Sequence, residues 1–168
     1  AADQEHVILV EDVLVTLQQM ARYHRKQFRI PVVALTGTNG KTTTKEFIAA
    51  VLSERYQTLK TPGNFNNHIG LPLTMLSLSP ADQAMVVEMG MSARGEIEYL
   101  SSLANPRIAV ITNIGTSHME SLGSRENICR AKLEITHGLK ADGILLCNGD
   151  EPLLFHEELE GRRPVFVG

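Results

Sequence analysis

The sequence predicts an α/β fold in which a mostly parallel sheet is flanked by helices on both faces. Three short apolar segments, at residues 32–36, 84–88 and 108–112, have the composition of strands that are buried on both sides. Segments with apolar residues at helical spacing separate them, and this alternation is typical of parallel sheets. Polar residues or glycines follow each strand, at the edge where such sheets bind their ligands.

The composition is that of an ordinary globular protein and excludes two classes of partner. The chain has 168 residues, a hydrophobic fraction of 43% and a net charge of −3. A basic surface for nucleic acid is therefore not expected, and no apolar run is long enough for membrane insertion. Cys129 and Cys147 have neither C-x-x-C nor metal-site spacing, so we expect two buried, reduced thiols.

A first helix is expected at residues 11–28, where apolar residues recur at helical spacing. Asp12 can cap the beginning of this helix. Arg22, Arg25 and Lys26 fall in its last turns, where positive charge favours the negative end of the helix dipole. We expect these three side chains to lie on a solvated face.

Strands and helices alternate along the rest of the chain. Helix 41–54 is expected to bury an apolar side formed by Phe47, Ile48, Val51 and Leu52. Ser124 can cap a later helix, and Gly138 stands where a left-handed residue often ends one. The predicted strands cover residues 32–36, 56–59, 84–88, 108–112 and 143–147, and the predicted helices after the first cover residues 41–54, 69–78, 97–103 and 124–137.

A glycine-rich segment, TGTNGKTTT at residues 36–44, lies between a predicted strand and a predicted helix. Glycines let backbone N–H groups turn toward a phosphate, and the helix adds the positive end of its dipole. Lys41 can supply a positive charge to β- and γ-phosphates, and Thr42 can supply a hydroxyl to Mg²⁺. The spacing is the short form G-x-x-G-K-T, because Leu35 stands where the longer form has its first glycine. The segment predicts a phosphate-binding loop.

Two further side chains follow strong strands at the same edge of the predicted sheet. Glu88 ends an apolar strand, and a carboxylate there can reach a Mg²⁺ ion beside the phosphate loop. His118 follows the third strong strand and is a candidate metal ligand or phosphate contact. Lys132, by contrast, has the periodicity of an ordinary exposed helix lysine.

Together these residues resemble the Mur ligase family of ATP-dependent enzymes of peptidoglycan synthesis, which also includes folylpolyglutamate synthetase. Within the family, the sequence is most similar to members that add D-alanyl-D-alanine to UDP-N-acetylmuramoyl-tripeptide. The resemblance covers about residues 8–168 and is carried by TGTNGKTTTKE (36–46), PGNFNNHIGLP (62–72), EMGM (88–91), RGEI (94–97), TNIG (112–115), His118, AKLEI (131–135) and NGDEP (148–152).

The resemblance implies a role for each matching position. Lys41 and the loop would hold the ATP phosphates, and Lys132 matches a lysine that many members carry as a carbamate. His68 receives no role. The implied ATP-binding residues are Gly37, Thr38, Asn39, Gly40, Lys41, Thr42, Thr43 and Asn113. The implied ligands of two Mg²⁺ ions are Thr42, Glu88, His118 and Lys132. The residues implied to face the nucleotide-sugar substrate are Asn64, Asn66 and Asn67.

The implied reaction has two steps. The tripeptide carboxylate attacks the γ-phosphate of ATP and forms an acyl phosphate and ADP. The amine of D-Ala-D-Ala then attacks the acyl carbon, and phosphate leaves. The roles implied for Lys41, Lys132 and His118 are positioning and charge neutralisation, without a covalent enzyme intermediate. The resemblance also implies a monomeric, cytoplasmic bacterial protein.

Family members have three domains, and this chain is expected to hold most of one. Residues 1–28 resemble the end of the N-terminal substrate domain and its linker helix, and residues 29–168 resemble an incomplete central ATP-binding domain. The chain alone is therefore expected to bind Mg-ATP without ligating. ADP formation by these 168 residues that depends on both substrates would contradict that expectation.

Three alternatives stay open at the sequence level. Folylpolyglutamate-type or cyanophycin-type ligation would use the same loop, although the asparagine-rich segment and EMGM argue against it. A P-loop switch or kinase-like module would need the longer loop spacing and, for a GTPase, an N-K-x-D motif, and neither is present. A non-catalytic ATP-binding or interaction module is the third.

Overall fold

The computed structural model describes residues 7–156 and 163–168, and within them the sheet has six strands, all parallel. The strand order is β2-β3-β1-β4-β5-β6. This confirms the predicted α/β class. The strands are β1 (Val32–Thr36), β2 (Thr58–Lys60), β3 (Ala84–Glu88), β4 (Ile108–Ile111), β5 (Ile144–Asn148) and β6 (Val165–Val167). The helices are α1 (Val13–Lys26), α2 (Lys41–Ser53), α3 (Gly70–Leu76), α4 (Glu96–Ala104), α5 (Met119–Leu122), α6 (Arg125–Leu133) and α7 (Leu153–His156).

Strand β1 lies at the centre of the sheet, between β3 and β4. Val33 is paired with Val86 on one side and with Ile108 on the other. Every residue of β1 and β3 is buried, as expected for strands that are covered by helices on both faces. The carboxyl ends of these strands therefore meet at one edge, and the loops that follow them are neighbours.

Helix α1 packs against α3 and α4 and begins as predicted, because Asp12 Oδ1 accepts a hydrogen bond of 2.8 Å from the Val15 backbone N–H. The solvated face predicted for its basic residues is wrong for Arg25, which is only 6% exposed. Its Nη1 donates to the Phe28 carbonyl at 2.6 Å and its Nη2 to the Ile30 carbonyl at 3.3 Å. Arg25 therefore holds the turn between α1 and β1.

The apolar side predicted for the second helix is also only partly correct. Phe47 and Val51 are 69% and 73% exposed, whereas Lys45 and Ala49 are buried. Ile48 and Leu52 are partly buried against the sheet, as predicted. The buried side of the helix therefore differs from the predicted one, because Lys45, which is not apolar, lies on the side that faces β3.

Helix α6 is shorter than predicted and continues as a single 3₁₀ turn over Glu134–Thr136. The Ser124 hydroxyl accepts a hydrogen bond from the Asn127 N–H at 3.2 Å, which confirms the predicted cap. Gly138 is not left-handed, contrary to the prediction. A Cβ at this position would lie 2.1 Å from the backbone C and O of Ser101, so glycine is required by the close approach of α4.

Several elements were not predicted, and some of the predicted segments lie outside the described residues. Helices α5 and α7 and strand β6 are each only three or four residues long, below the length at which periodicity is informative. The first six residues of segment 1–28 lie outside the description, as do residues 157–162 of the predicted central domain. In the described part of the chain no helix is both long enough and apolar enough to cross a bilayer.

We expect Gly138→Ala to lower the free energy of unfolding by about 1–3 kcal/mol, because the added methyl group forces apart two packed elements. Gly149→Ala is the matched control, since its Cβ would meet its nearest neighbour at 3.5 Å, an ordinary contact. The control should change stability by less than about 1 kcal/mol. Urea unfolding of both variants measures the difference, and equal stability would contradict the packing argument.

Candidate active site

The phosphate loop connects β1 to α2 and depends on two glycines. Gly40, at the beginning of α2, has φ +75°, a left-handed conformation that side chains disfavour. A Cβ on Gly37 would lie 1.8 Å from Thr112 Oγ1, so the loop can approach β4 this closely only with glycine. The first α2 amide with an acceptor in the helix is that of Thr44, which bonds to Gly40 O at 2.9 Å. The amides before it are left to a ligand or to solvent, as at other anion-binding helix ends.

Asn113 holds the loop from behind. Its Oδ1 accepts hydrogen bonds from the backbone N–H groups of Thr38 at 3.1 Å and Asn39 at 2.9 Å. Thr38 Oγ1 in turn accepts from the Gly115 N–H at 2.8 Å, and Thr112 Oγ1 donates to the Asn39 carbonyl at 2.8 Å. The segment after β4 therefore fixes the shape of the loop. Asn113, implied by the resemblance as an ATP contact, supports the loop in this structure.

Lys41 lies across the loop. Its Nζ donates to the Gly37 carbonyl at 3.0 Å and to the Thr38 carbonyl at 3.1 Å. This keeps the ammonium group beside the beginning of α2, where phosphate oxygens would bind. Thr43, also implied as an ATP contact, is exposed in the first turn of that helix.

Glu88 is a buried carboxylate, 2% exposed, at the end of β3. Thr42 Oγ1 donates to its Oε2 at 3.0 Å, and Asn66 Nδ2 donates to its Oε1 at 2.8 Å. Lys45 Nζ lies 4.0 Å from Oε2 and also donates to the Gly63 carbonyl at 3.1 Å. The structure thus brings together Thr42 and Glu88, the pair predicted to bind one Mg²⁺.

Lys45 is the residue of this group that sequence reasoning missed. It is fully buried, and a buried lysine is rare unless it is paired. The available signal was its spacing, because Lys45 and Ala49 follow Lys41 at intervals of four and so share its side of α2. The more apolar pair Phe47 and Val51 obscured that signal.

A cavity of about 340 Å³ opens beside the loop and is lined by seven of the fourteen predicted site residues. His118, with φ +68°, begins α5 at its rim, and Lys132 of α6 lies in its wall. Lys132 is 3% exposed, and burial, together with the nearby charge of Lys41, lowers its pKa to about 8. The structure therefore contradicts the exposed position that periodicity suggested for Lys132. The residues lining the cavity are Gly37, Thr38, Lys41, Asn66, Asn67, His68, Gly90, Met91, Ser92, Glu96, His118 and Lys132.

The three asparagines implied to face substrate have different positions. Asn66 and Asn67 line the cavity, whereas Asn64 does not and is exposed. Asn67 Oδ1 accepts hydrogen bonds from the backbone N–H groups of Ile69 at 3.1 Å and Gly70 at 2.9 Å, so it also caps α3. His68, which received no role, lies in the cavity wall.

Glu134 is a second supporting residue that the sequence did not reveal. It is 9% exposed, and its two carboxylate oxygens accept hydrogen bonds of 2.9 and 2.8 Å from the Gly95 N–H. Its negative charge lies at the beginning of α4, where the helix dipole favours it. This contact fixes the segment after β3 relative to Lys132, two residues before Glu134.

The oxygen atoms of Thr42 and Glu88 are of the hard type that Mg²⁺ prefers. Within residues 7–156 and 163–168 no group of three His, Cys, Asp or Glu side chains is arranged for a metal ion. An ion held by these two oxygens would have positions left for phosphate oxygens and water, which Mg²⁺ usually keeps in its shell.

A family model, the Mur ligase middle domain, matches residues 35–166. The chain belongs to the Mur ligase family. It is 60% identical over 148 residues to the UDP-N-acetylmuramoyl-tripeptide--D-alanyl-D-alanine ligase of Bacillus subtilis. The aligned residues cover 88% of this chain and 32% of that relative. The Escherichia coli ligase of the same name is 41% identical over 143 residues, with coverages of 85% and 32%. The chain thus spans about a third of the length of these curated Mur ligases.

Solved Mur ligase structures share the fold. MurF from Acinetobacter baumannii superposes with a TM-score of 0.90 at 37% identity over 96% of this chain and 36% of that one. The MurF ligase of Thermotoga maritima in complex with ADP superposes with a TM-score of 0.89 at 37% identity, over 99% of this chain and 39% of that one. A folylpolyglutamate synthase from Mycobacterium tuberculosis superposes with a TM-score of 0.67 at 17% identity, over 84% of this chain and 42% of that one. At this identity the likeness shows the fold alone.

We expect Lys132 to titrate near pH 8 rather than near 10.5, and Lys41→Met to raise its pKa because a neighbouring positive charge is removed. The value should stay below 10.5, since burial is the larger cause. Because the unfolded chain keeps this proton to higher pH, the contribution of Lys132 to the free energy of unfolding should rise between pH 8 and 10.5. Burial raises the pKa of the Cys147 thiol to about 11, which acts in the opposite direction above pH 9. NMR of ¹³Cε-labelled lysine in CO₂-free buffer measures the titration.

The exposed Lys60, replaced by Met, is the matched control for that titration and should leave Lys132 unchanged. A Lys132 that titrates with the surface lysines would show that its amine is solvated, and the burial argument would be wrong.

Proposed function

We propose that this chain is the ATP-binding part of an ATP-dependent amide ligase that adds D-Ala-D-Ala to UDP-N-acetylmuramoyl-tripeptide. The observation that carries the proposal is that Lys41, His118 and Lys132 line one cavity beside the phosphate loop. Asn66 of the same cavity donates to Glu88, which also accepts from Thr42. We assign residues 29–168 to the central domain and residues 1–28 to the segment that leads into it.

Binding of ATP is assigned to the phosphate loop. The free amides at the beginning of α2 and the ammonium group of Lys41 would surround the β- and γ-phosphates. Lys41 would exchange its bonds to the Gly37 and Thr38 carbonyls for bonds to phosphate. The neighbouring T. maritima structure contains ADP, which supports a nucleotide at this site.

One Mg²⁺ is assigned to Thr42 and Glu88. Their oxygens already face each other at 3.0 Å, and Lys45 partly offsets the charge of the buried carboxylate. When bound, the ion neutralises charge that develops on the transferred phosphoryl group. Glu88 and Thr42 would hold the ion, and Asn66 orients the carboxylate through its other oxygen.

A second Mg²⁺ is assigned to His118 and to a carbamate on Lys132. A lysine ammonium cannot bind a cation, but a neutral amine can attack CO₂, form a carbamate and release a proton. With a pKa of about 8, about a tenth of the amines are neutral at pH 7, against about one in three thousand for an ordinary lysine. Burial of Lys132 therefore supports carbamylation.

The cavity beside the loop is assigned to the reacting ends of the two substrates. The tripeptide carboxylate would attack the γ-phosphorus to give an acyl phosphate and ADP. The amine of D-Ala-D-Ala would then attack the acyl carbon, lose its proton and expel phosphate. Lys41 neutralises the phosphoryl oxygens, while Asn66, Asn67 and His118 in the wall would position the carboxylate and limit access of water.

The assignment of D-Ala-D-Ala as the amine substrate is supported by the relatives. Those at 36–60% identity are named as UDP-N-acetylmuramoyl-tripeptide--D-alanyl-D-alanine ligases, whereas the folylpolyglutamate synthases share the fold at 15–17% identity. A monomeric, cytoplasmic bacterial enzyme is the corresponding proposal for assembly and location.

We expect Lys41→Ala to weaken Mg-ATP binding by this chain at least tenfold, because the loop loses its only side-chain ammonium group. Arg55→Gln, which removes a positive charge outside the cavity, is the control and should change the dissociation constant less than twofold. Isothermal titration calorimetry measures both. Equal binding by the two variants would refute the assignment of the loop to ATP.

In the longer enzyme that contains this chain, ADP release should require both UDP-N-acetylmuramoyl-tripeptide and D-Ala-D-Ala. L-Glutamate in place of the dipeptide should give less than a hundredth of the rate. A coupled ADP assay with each substrate omitted in turn measures this. ADP release that depends on folate and glutamate would instead favour the folylpolyglutamate alternative.

A further inference from the structure

A second cleft lies at the opposite edge of the sheet, where the strands begin. It has a volume of about 690 Å³ and is lined by the end of α1, the turn after α4 and residues 137–140. Its residues Arg29, Asn105 and Lys140 precede β1, β4 and β5 respectively. Five residues of β1 place about 15 Å between this cleft and the phosphate loop. The two sites are therefore separate.

Positive charge is concentrated in this cleft. Five of the sixteen lysines and arginines of the chain line it, and the lining residues include no aspartate or glutamate. This contrasts with the net charge of −3 for the chain. The basic residues in the lining are Arg22, Arg25, Lys26, Arg29 and Lys140.

Arg25 holds the turn between α1 and β1, but that role leaves its buried charge without a counter-charge. It is 94% buried, and although its Nη atoms are bonded to the carbonyls of Phe28 and Ile30, its Nε–H has no acceptor among the described residues. No carboxylate in that part of the chain pairs with it, and burial lowers its pKa. A buried cation without a counter-charge is unfavourable, and an anion in the cleft would offset this cost.

The ends of α1 and α4 that border the cleft contribute some negative charge. Each helix C-terminus is equivalent to about half an elementary charge. Together they offset about one positive charge, and Glu98, 3.4 Å from His137 of the lining, offsets a further part. The four basic residues of α1 and the turn after it keep the cleft electropositive. Such a concave site raises the local concentration of anions.

We propose that this cleft binds a compact anion that bears a diphosphate group. Arg22 and Arg29 are exposed arginines of the cleft, and planar guanidinium groups bind phosphate oxygens in pairs. Arg25, engaged with the Phe28 and Ile30 carbonyls, contributes its charge and holds the turn that carries Arg29. Four of the basic residues lie on one side of α1 and of the turn after it, because their spacing of three or four positions makes them neighbours on a helix. They are Arg22, Arg25, Lys26 and Arg29. The volume lies in the range of small-ligand sites and favours a compact ligand over a protein segment.

The test measures binding of inorganic pyrophosphate and of ADP to the chain carrying Lys41→Ala, which suppresses binding at the phosphate loop. We expect the added pair Arg22→Gln and Arg29→Gln to weaken binding at least tenfold. The pair Arg55→Gln and Arg163→Gln removes the same charge outside the cleft and should weaken binding less than twofold. Cleft-dependent binding of ADP would identify a nucleotide as the source of the diphosphate, and binding of pyrophosphate alone would identify a free diphosphate.

Arg25→Lys provides a second variant, which keeps the positive charge but loses the paired donors. It should weaken pyrophosphate binding at least threefold while circular dichroism shows a folded chain. Equal losses in the cleft pair and the control pair would overturn the proposal, since binding would then follow net charge alone. Cleft-dependent binding of poly-glutamate without binding of pyrophosphate would overturn it in favour of an acidic protein partner.

Discussion

The carboxylate of Glu88 is the group on which the rest of the site depends. It is buried at the end of a central strand, where an uncompensated charge would cost several kcal/mol. Compensation comes from different parts of the chain, through Lys45 and Thr42 on α2 and Asn66 in the loop before α3. Satisfying one buried charge thus fixes the phosphate-loop helix and the asparagine-rich segment relative to the same strand.

The order of the parallel strands determines which segments lie on either side of the phosphate loop. Because β1 lies between β3 and β4, the phosphate loop has the Glu88 end of β3 on one side and Asn113 on the other. The loop is therefore shaped by its neighbours as much as by its own glycines. The close contact between Gly37 and Thr112 shows how little room this leaves.

The strands and the phosphate loop were predictable from the sequence because their signals are local. Apolar β-branched runs indicate buried strands, and the carboxyl-edge rule places Glu88 and His118 near the loop without knowledge of contacts. Lys45 was missed and Arg25 was wrongly predicted to be exposed, because a charged residue in a helix is normally exposed and only its contacts show otherwise. The need for glycine at position 138 depends on Ser101, which is remote in sequence.

Lys132 was predicted as a site residue by the family resemblance but not by its local sequence pattern. The family resemblance marked it, although its periodicity suggested a surface lysine. The structure explains why the position is chemically special, since burial beside another ammonium group favours the neutral amine. A sequence pattern cannot report the dielectric environment of a side chain, and that environment decides its chemistry.

The resting hydrogen bonds of the phosphate loop have a consequence for selectivity. Lys41 is already bonded to two loop carbonyls, and the amides of Thr38 and Asn39 are bonded to Asn113. An incoming anion can add to the free amides at the beginning of α2, but it must displace two loop carbonyls to bond with Lys41. A single phosphate or sulfate ion makes too few contacts to gain much from this exchange, whereas a triphosphate can engage Lys41 and the helix amides together. The donors that are already bonded therefore favour a ligand that makes several contacts at once, so that abundant small anions compete poorly with the nucleotide.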